Sequence, residues 1–595
     1  MYGTLNEAKK MTAIPKPILD LTQPVPADHV HVEHIKEASR YLRGTIEEGL
    51  RDPLTGAIAE DDTQLTKFHG TYMQDNRDLR HERHKSKLEP AYSFMIRVRV
   101  PGGICTAKQY LEMDRIANTL ANGTMKLTTR QAFQFHGVLK RNLRQTMREI
   151  IESSLDTIAA CGDVNRNVMC NPNPYQSAVH EAVYQVSCQI SEHLTPRTSA
   201  YYEIWLNGEK AGGSPKEIQD AEIKDHEPLY THRYLPRKFK IAVAIPPYND
   251  VDIYANDIGL IAIEEKGVLK GFNIAVGGGM GMTHGEPDTY PRLASVIGFI
   301  ETAKVVDAVE KIMTIQRDYG CRSNRKHARF KYTIDDYGLD FIREELTRRC
   351  GYPLKKAKKF EFERNGDTYG WLKGTNGKWF LTLFIEGGRV KDTKGSPMMT
   401  ALREVAEKCG NADFRLTGNQ NLMIGNVSAA KKKVVDEILK RHKVGEFAGL
   451  SGLRRNSIAC VALPTCALAM AESERYLPTL ITKIEALAEA EGLRDDEIVI
   501  RMTGCPNGCG RPYLGEIGFV GKAPGKYNLY LGAGFSGERL NKLYRENIDE
   551  TTILSELKPI LGQYARERKD GERFGDFTIR AGYVKATVEG RDFHD

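Results

Sequence analysis

The sequence has no long apolar run, which argues against a helix that crosses a membrane. Such a helix needs roughly 18 apolar residues in succession. The most apolar stretch, 459–471, is shorter and is interrupted by Pro464 and Thr465. Residues 1–30 contain four prolines and scattered charges but no apolar centre of a secretory signal. We therefore expect a cytoplasmic protein that binds no membrane.

Motifs for nucleotides and nucleic acids are also missing. The glycine-rich stretch 277–281 completes no G-x-G-x-x-G, and the sequence contains no other Rossmann fingerprint and no Walker A loop. The net charge is +7, yet no basic run or recognised nucleic-acid motif accompanies this excess of cations. We expect no nucleic-acid partner, because an anionic substrate or a polyanionic cofactor explains the same charge equally well.

The length of 595 residues is too great for one hydrophobic core and indicates about three domains. Eleven cysteines in a chain without an export signal favour reduced thiols. Residues 1–35 are expected to form an extended arm, since four prolines block a helix there, and 34–50 show a helical pattern. The densely charged stretch 77–87 is interpreted as a solvated face or linker.

One structural unit occurs early in the chain, where residues 94–100 alternate as a strand and a helix follows over 107–120. A second strand starts near residue 126. If its alternation is unbroken, Lys126, Arg130, Gln134 and His136 share one face, which suits the binding of several carboxylates. An exposed polar sheet face is an equally good interpretation.

The same unit returns later, over a strand at 378–388, a helix near 399–408 and a segment at 415–427. Residues 126–131 align with 415–420, and a second echo pairs 271–279 with 526–534. The order A–B–A′–B′ predicts a duplicated chain with pseudo-twofold symmetry. Within B, a strand over 237–245 places Lys238 and Lys240 on one face. That pair indicates either a bound anion or an exposed edge.

Four cysteines flank a helical pattern at 472–492, and their spacing is typical of a metal site. The four are Cys460, Cys466, Cys505 and Cys509. The five-residue gap in the first pair fits a structural zinc site poorly, whereas a [4Fe–4S] cluster needs four thiolates. Spacing alone favours the cluster but leaves zinc and buried, unligated thiols open.

The segments around these cysteines, 456–466 and 503–510, resemble the signature of sulfite and nitrite reductases that carry sirohaem and a [4Fe–4S] cluster. The resemblance covers nearly the whole chain from about Tyr41. Within the family, the nearest likeness is to the haemoprotein (beta) subunits of bacterial assimilatory NADPH–sulfite reductases. The other matching segments are 126–137, 165–167, 235–240 and 277–279.

The resemblance implies an α+β fold in which A and A′ form one composite ferredoxin-like domain. Two α/β domains, B and B′, then bind the sirohaem and the cluster. We expect the N-terminal arm at 1–85 and the four units in chain order after it. These are A at 86–158, B at 159–365, A′ at 366–440 and B′ at 441–595.

The implied activity is the six-electron reduction of sulfite to sulfide for sulfate assimilation and cysteine biosynthesis. A sirohaem nitrite reductase that forms ammonia is the alternative, and the paired lysines favour sulfite. By position in the family, Cys509 also ligates the sirohaem iron, while Cys460, Cys466 and Cys505 bind the cluster alone. NADPH would bind another polypeptide, a flavoprotein (FAD/FMN) alpha subunit that docks through the N-terminal arm. A ferredoxin is the other possible electron donor.

The family pattern also assigns roles to individual residues. Four residues match the family's substrate-binding cations, namely Arg97, Arg166, Lys238 and Lys240. We assign Arg97 and Arg166 to clamping of the oxyanion, and Lys238 and Lys240 to proton donation. Many relatives have arginine where this chain has Lys126, which keeps the charge but loses the bidentate fork. The residues expected to contact the sirohaem carboxylates are Lys126, Arg130, Gln134, His136, Arg237, Asn421 and Asn507.

Overall fold

The computed structural model describes residues 15–206, 227–445 and 449–595, so the first part of the predicted arm lies outside the described residues. Four mixed or antiparallel sheets dominate the structure, and they form two similar pairs. This arrangement confirms the predicted α+β class and the duplication. None of the described helices combines the length and the apolar character needed to cross a membrane.

Sheet A belongs to the first ferredoxin-like half and is antiparallel throughout. Two helices, Ala107–Thr119 and Lys140–Glu152, accompany it. Thr106 caps the first helix by accepting a hydrogen bond from the Gln109 amide. The strands, in spatial order, are Thr71–Asp75, Tyr92–Val98, Phe133–Val138, Met125–Leu127 and Arg389–Val390.

Sheet A′ repeats this pattern in the second half and is again antiparallel. Its helices are Met398–Lys408 and Ala429–His442, and the first of these packs against Ala107–Thr119. A shared apolar core therefore joins the two halves. The strands, in spatial order, are Gly370–Lys373, Trp379–Leu383, Leu422–Val427, Asp413–Leu416 and Ile104–Thr106.

The two halves exchange one edge strand, because Ile104–Thr106 joins sheet A′ and Arg389–Val390 joins sheet A. A glycine pair precedes each exchanged strand. Gly103 (φ 78°) lies where a Cβ would meet the Leu416 carbonyl oxygen at 2.4 Å, and Gly388 (φ 66°) would meet the Leu127 oxygen at the same distance. Only glycine combines this backbone conformation with so close an approach.

Sheets B and B′ are built alike, since in each sheet parallel strands are followed by two antiparallel strands, with one parallel pair in B and two in B′. B′ has a separate apolar core. Sheet B contains Ile241–Ala244, Ile258–Glu265, Val268–Val276 and Ser295–Glu301. Sheet B′ contains Ser457–Ala459, Ile500–Thr503, Ile517–Ala523, Lys526–Leu531 and Lys542–Ile548. The described helices of B are Ala178–His193, Ala200–Trp205, Val305–Tyr319 and Phe330–Cys350, and those of B′ are Gly452–Arg455, Leu477–Ala490, Glu550–Glu567 and Phe574–Arg580.

The segment before residue 86 is more folded than the predicted arm. The helix expected over 34–50 is wrong as a single element, because Arg40, Tyr41 and Leu42 adopt left-handed backbone angles and break it. Strand Thr71–Asp75 completes one edge of sheet A. Between residues 15 and 86, the structure describes four short helices, at His31–Ala38, Ile46–Arg51, Glu60–Leu65 and Arg80–Lys85. The division into five segments stays a prediction.

The single strand expected from residue 126 onward is also wrong. A tight turn, with Gln131 in a left-handed conformation, splits it into Met125–Leu127 and Phe133–Val138, which pair with each other. Lys126 therefore lies opposite Gln134 instead of further along the same strand. Arg130 falls in the turn, so it leaves the shared face. Two minor strand pairs also occur, Tyr248–Asn249 with Arg364–Asn365 and Asp392–Thr393 with Ser396–Pro397.

Candidate active site

A cavity of about 420 Å³ lies where sheet A faces the loops of B and B′. Its wall brings together residues that are hundreds of positions apart in the sequence, including all four spaced cysteines. Most of the predicted site residues reach it. They are Arg97, Lys126, Gln134, His136, Arg166, Arg237, Lys238, Cys460, Cys466, Cys505, Asn507 and Cys509.

Sheet A contributes a chain of polar side chains to this wall. Arg97 lies directly opposite Gln134 in the strand register. Its Nε and Nη2 groups donate to Gln134 Oε1 at 3.1 and 2.7 Å, and Gln134 Nε2 donates to His136 Nε2 at 2.8 Å. Burial lowers the pKa of His136 to about 3, and neighbouring cations add to this, so the ring is neutral. The chain therefore holds the Arg97 guanidinium in a fixed orientation.

The loop at 159–166 contributes a second arginine. Arg166 Nε donates to the Gly162 carbonyl at 3.0 Å and Nη1 donates to the Ala160 carbonyl at 3.1 Å. Cys161, in the same loop, lies 3.3 Å from Arg97 Nη1. The loop thus orients Arg166 through its own backbone, and both predicted clamping residues line one cavity.

Asp163 is the only carboxylate among the described residues that line the cavity. Arg325 donates to both of its oxygens, at 2.6 and 2.9 Å, and Arg237 lies 3.8 Å away. These cations hold the pKa of Asp163 far below its usual range despite its burial. The sequence analysis missed Asp163, Arg325 and Lys67, a further cation of the wall, since no local pattern links them.

The two predicted lysines face neighbouring spaces. Lys238 lines the main cavity and also a small enclosed one, and Lys240 lines only the small one, together with Arg130. Burial, with the charge of Arg237 next, lowers the pKa of Lys238 to about 7. Burial and the charge of Lys238 lower the pKa of Lys240 well below its usual value. Lys238 can therefore lose a proton near neutrality.

Three residues that were predicted to contact the cofactor form hydrogen bonds with other groups of the protein. Lys126 Nζ donates to Glu474 Oε2 at 2.8 Å and to the Gly387 carbonyl. Arg130 donates to Asn256 Oδ1 at 2.6 Å and to the carbonyl of Ile241 at 2.9 Å. Asn421 donates to Asp367 Oδ2 at 2.8 Å and to the Tyr369 hydroxyl at 3.0 Å. Asn421 is absent from the described lining of both cavities.

The cysteines meet because their loops follow neighbouring parallel strands. Cys460 comes directly after Ser457–Ala459, and Cys505 follows Ile500–Thr503, the strand beside it. The Gly504 amide donates to Cys460 Sγ at 3.4 Å, and Asn507 Nδ2 donates to Cys505 Sγ at 3.6 Å. Burial raises the pKa of Cys505 to about 11. The Cys505 thiol is therefore protonated until a metal or another cation stabilises its thiolate.

The donor set separates a cluster from a single metal ion. In the described part of the chain, no three His, Cys, Asp or Glu side chains are close enough together to hold one ion. A structural zinc site needs four such ligands around one point. A [4Fe–4S] cube spreads its four thiolates around a larger body, which suits four cysteines on the wall of one cavity. The residues present therefore fit the cluster.

The predicted solvated stretch begins with a residue that contacts a cysteine loop. The Arg77 amide donates to the Pro464 carbonyl at 3.1 Å, and its Nη1 donates to the carbonyls of Cys466 at 3.2 Å and Ala469 at 2.6 Å. The interpretation of 77–87 as a solvated face is wrong for this residue. Charge density alone does not distinguish an arginine that caps a distant loop from one in water.

Comparison with known proteins matches two family models. The Nitrite and sulphite reductase 4Fe-4S domain matches residues 185–354. The Nitrite/Sulfite reductase ferredoxin-like half domain matches 87–153 and 372–442, in sheets A and A′. The four spaced cysteines lie outside these segments, in the duplicated partner of the first one.

Curated relatives and a solved structure resemble the chain over nearly its whole length. The Sulfite reductase [NADPH] hemoprotein beta-component of Anoxybacillus flavithermus is 62% identical over 95% of this chain and 97% of the relative. The protein of that name from Staphylococcus saprophyticus is 60% identical over the same shares. The Mycobacterium tuberculosis NirA structure shares the fold, with a TM-score of 0.75, 24% identity, and coverage of 94% of this chain and 97% of that one. The chain therefore belongs to the sulfite and nitrite reductase family.

Proposed function

We propose that this chain is the haemoprotein subunit of an assimilatory sulfite reductase, which reduces sulfite to sulfide. The observation that carries the proposal is the cavity in which four cysteines meet a wall of cations, with Asp163 as the one carboxylate of its described lining. Such a wall suits a small oxyanion beside a cofactor with many carboxylates. The relatives at 60–62% identity are named for this activity with NADPH.

The resident groups in this proposal are sirohaem and a [4Fe–4S] cluster. Cys460, Cys466, Cys505 and Cys509 would hold the cluster, with Cys509 shared by the sirohaem iron, and the bound pair supplies electrons one at a time to the substrate. Gln134, His136, Arg237 and Asn507 border the same space and would answer the sirohaem carboxylates. Lys126, in the wall of the main cavity, and Arg130, in the wall of the small one, would add positive charge. Buried carboxylates need such partners.

Arg97 and Arg166 are the proposed clamp for the oxygens of sulfite. The Gln134–His136 chain holds the Arg97 fork, and two backbone carbonyls hold Arg166 by Nε and Nη1. Both guanidiniums are thus oriented before any anion arrives. Preorganised donors bind charge without the cost of ordering flexible side chains.

Lys238 and Lys240 are the proposed proton donors. Converting sulfite to sulfide consumes six protons together with six electrons, and three oxygens leave as water. An amine whose pKa lies near 7 gives up a proton more readily than an ordinary lysine and regains it from water at neutral pH. Lys238, which lines both cavities, can pass protons from Lys240 toward the larger space.

The electron donor is proposed to be a flavoprotein partner, with a ferredoxin as the other option. The chain has no nucleotide-binding fingerprint, so a second polypeptide would oxidise NADPH. We place the protein in the cytoplasm, because all eleven cysteines are unpaired thiols. Docking of the partner through the N-terminal segment stays a prediction.

The test uses the purified chain with reduced methyl viologen. We expect strong visible absorption, iron equivalent to one cluster plus one haem, and sulfide as the product of sulfite. NADPH alone should support no turnover. A colourless protein would instead indicate a structural metal or anion-binding module. Faster turnover of nitrite to ammonia would favour the nitrite reductase alternative.

A further inference from the structure

Arg77 closes the outer side of the loop that contains Cys466. It belongs to a short turn, Arg77–Leu79, whose preceding residue Asn76 accepts a hydrogen bond from the Asp78 amide. Asp78 in turn pairs with Arg475 of B′ at 2.8 Å. The turn is therefore anchored to B′ at two points, although it lies almost four hundred residues earlier in the chain.

The guanidinium of Arg77 acts on the backbone of a cluster ligand itself. Its Nη1 donates to the Cys466 carbonyl and to the Ala469 carbonyl three residues later, while the Arg77 amide fixes Pro464. The side chain is half-buried, so water screens its charge incompletely. Lys126 and Lys238 place their charges at the cavity wall instead. Arg77 does not line the cavity, so it is separate from the substrate-binding residues.

We propose that Arg77 is a positioning residue that holds the Cys466 loop and raises the reduction potential of the cluster. The inference rests on the proposed function, since it needs a cluster on the four cysteines. Reduction adds one negative charge to the cluster, and a fixed cation nearby stabilises the reduced form more than the oxidised form. Charge and hydrogen bonding around a cluster are two of the factors that set its potential.

The experiment measures the midpoint potential of the cluster in the purified holoprotein by a redox titration followed by electron paramagnetic resonance. Arg77→Gln removes the charge and keeps an amide donor on a shorter side chain, and Arg77→Lys keeps the charge but loses the fork. Arg83→Gln is the matched control, because it removes the same charge six residues along the chain. Arg83 donates to the Glu89 carbonyl at 2.6 Å, within its own segment.

We expect a more negative potential in Arg77→Gln, a smaller change in Arg77→Lys and the wild-type value in Arg83→Gln. An unchanged potential in Arg77→Gln at full iron content would overturn the proposal. So would an equal shift in Arg83→Gln, because the effect would then be one of net charge. If both Arg77 variants lose iron, the role is structural alone and the proposal fails. A wild-type protein that lacks the cluster would contradict the proposed function instead. The cluster content of the wild-type protein is therefore measured before the variants are compared.

Discussion

The two ferredoxin-like halves share a backbone but differ in what their central strands carry. In sheet A, Arg97 lies opposite Gln134 and points into the cavity wall. The equivalent pair in sheet A′ is Thr382 and Met423. Where sheet A has its polar chain, Arg415 is packed over the rings of Phe380 and Tyr175.

This difference shows that the duplication preserved the backbone of the two halves but not the side chains that line the cavity. The exchanged strands and their glycine pairs are the same in both halves, because losing either one would break a sheet edge. A polar face toward a cavity, in contrast, is stable only where a ligand or another polar group satisfies it. In sheet A′ the buried Arg415 is satisfied within the protein, because it donates to the Pro172 carbonyl at 2.8 Å and to Asp413 at 2.7 Å and packs against aromatic rings.

We expect the largest effect on turnover from a substitution at the cysteines. Cys509→Ser should abolish sulfite turnover and the visible absorption of the sirohaem, since one thiolate would serve both groups. Cys105→Ala is the control, because Cys105 lies in the exchanged strand of sheet A′ and only donates to the Phe414 carbonyl at 3.2 Å. Visible spectra and iron analysis of both variants provide the measurement. Normal sirohaem content in Cys509→Ser would refute the bridging assignment.

Substitutions in the two glycine pairs test whether the backbones of the two ferredoxin-like halves are equivalent. Gly103→Ala and Gly388→Ala should each lower the melting temperature, because each places a Cβ against a carbonyl oxygen at a left-handed backbone position. The penalty should be about 1–3 kcal/mol in each case. Only Gly388→Ala should also reduce cofactor content, since Gly387 beside it accepts a hydrogen bond from Lys126. Equal cofactor content in both variants would contradict this asymmetry.

Arg97→Lys tests the chain of polar side chains that distinguishes sheet A from sheet A′. Lysine cannot reproduce the fork that donates twice to Gln134 and still faces the cavity. Sulfite binding should weaken by about 1.5–3 kcal/mol, the contribution of a hydrogen bond to a charged group. The measurement is the KM for sulfite with a fixed artificial donor. Cofactor content serves as the control, and an unchanged KM would exclude Arg97 as a clamp.

The lowered pKa of Lys238 predicts that turnover depends on pH, an effect that we do not expect from sheet A′. Its pKa is about 7, lowered from 10.5 by burial, so the protonated fraction falls as pH rises through 7. Turnover should therefore decline on the alkaline side of that value, across roughly pH 6 to 9. Lys238→Met should be slower and lose this decline. Wild-type rates and an unaltered profile in that variant would exclude Lys238 as a proton donor.

The smallest effect is expected in sheet A′ itself. The Thr382 hydroxyl is buried and lacks a hydrogen-bond partner among the described residues. Replacing Thr382 by Val removes the unsatisfied group at constant shape, so stability should rise by about 1 kcal/mol. Sulfite turnover should not change. A loss of turnover would mean that the two halves are coupled more tightly than the fold indicates.

The sequence alone predicted the repeated order of elements and the cysteine set, because both depend on local spacing. Alternation, helical periodicity and the gaps between Cys460, Cys466, Cys505 and Cys509 are properties of short segments. The family resemblance added the identity of the arginines and lysines at the cavity. The exchanged strands were not predicted, since a strand of two or three residues has no distinguishing pattern.

Tertiary structure alone decided which charges meet. Asp163 and Arg325 are 162 positions apart, and Arg77 and Cys466 are 389 apart. It also placed Arg130 in the turn before Phe133–Val138, away from the face on which the sequence analysis had put it. Asn421, likewise, donates a hydrogen bond to Asp367. The physical reason is that an ion pair or a loop contact depends on three-dimensional distance and burial. Sequence patterns record which groups a segment offers, and folding selects their partners.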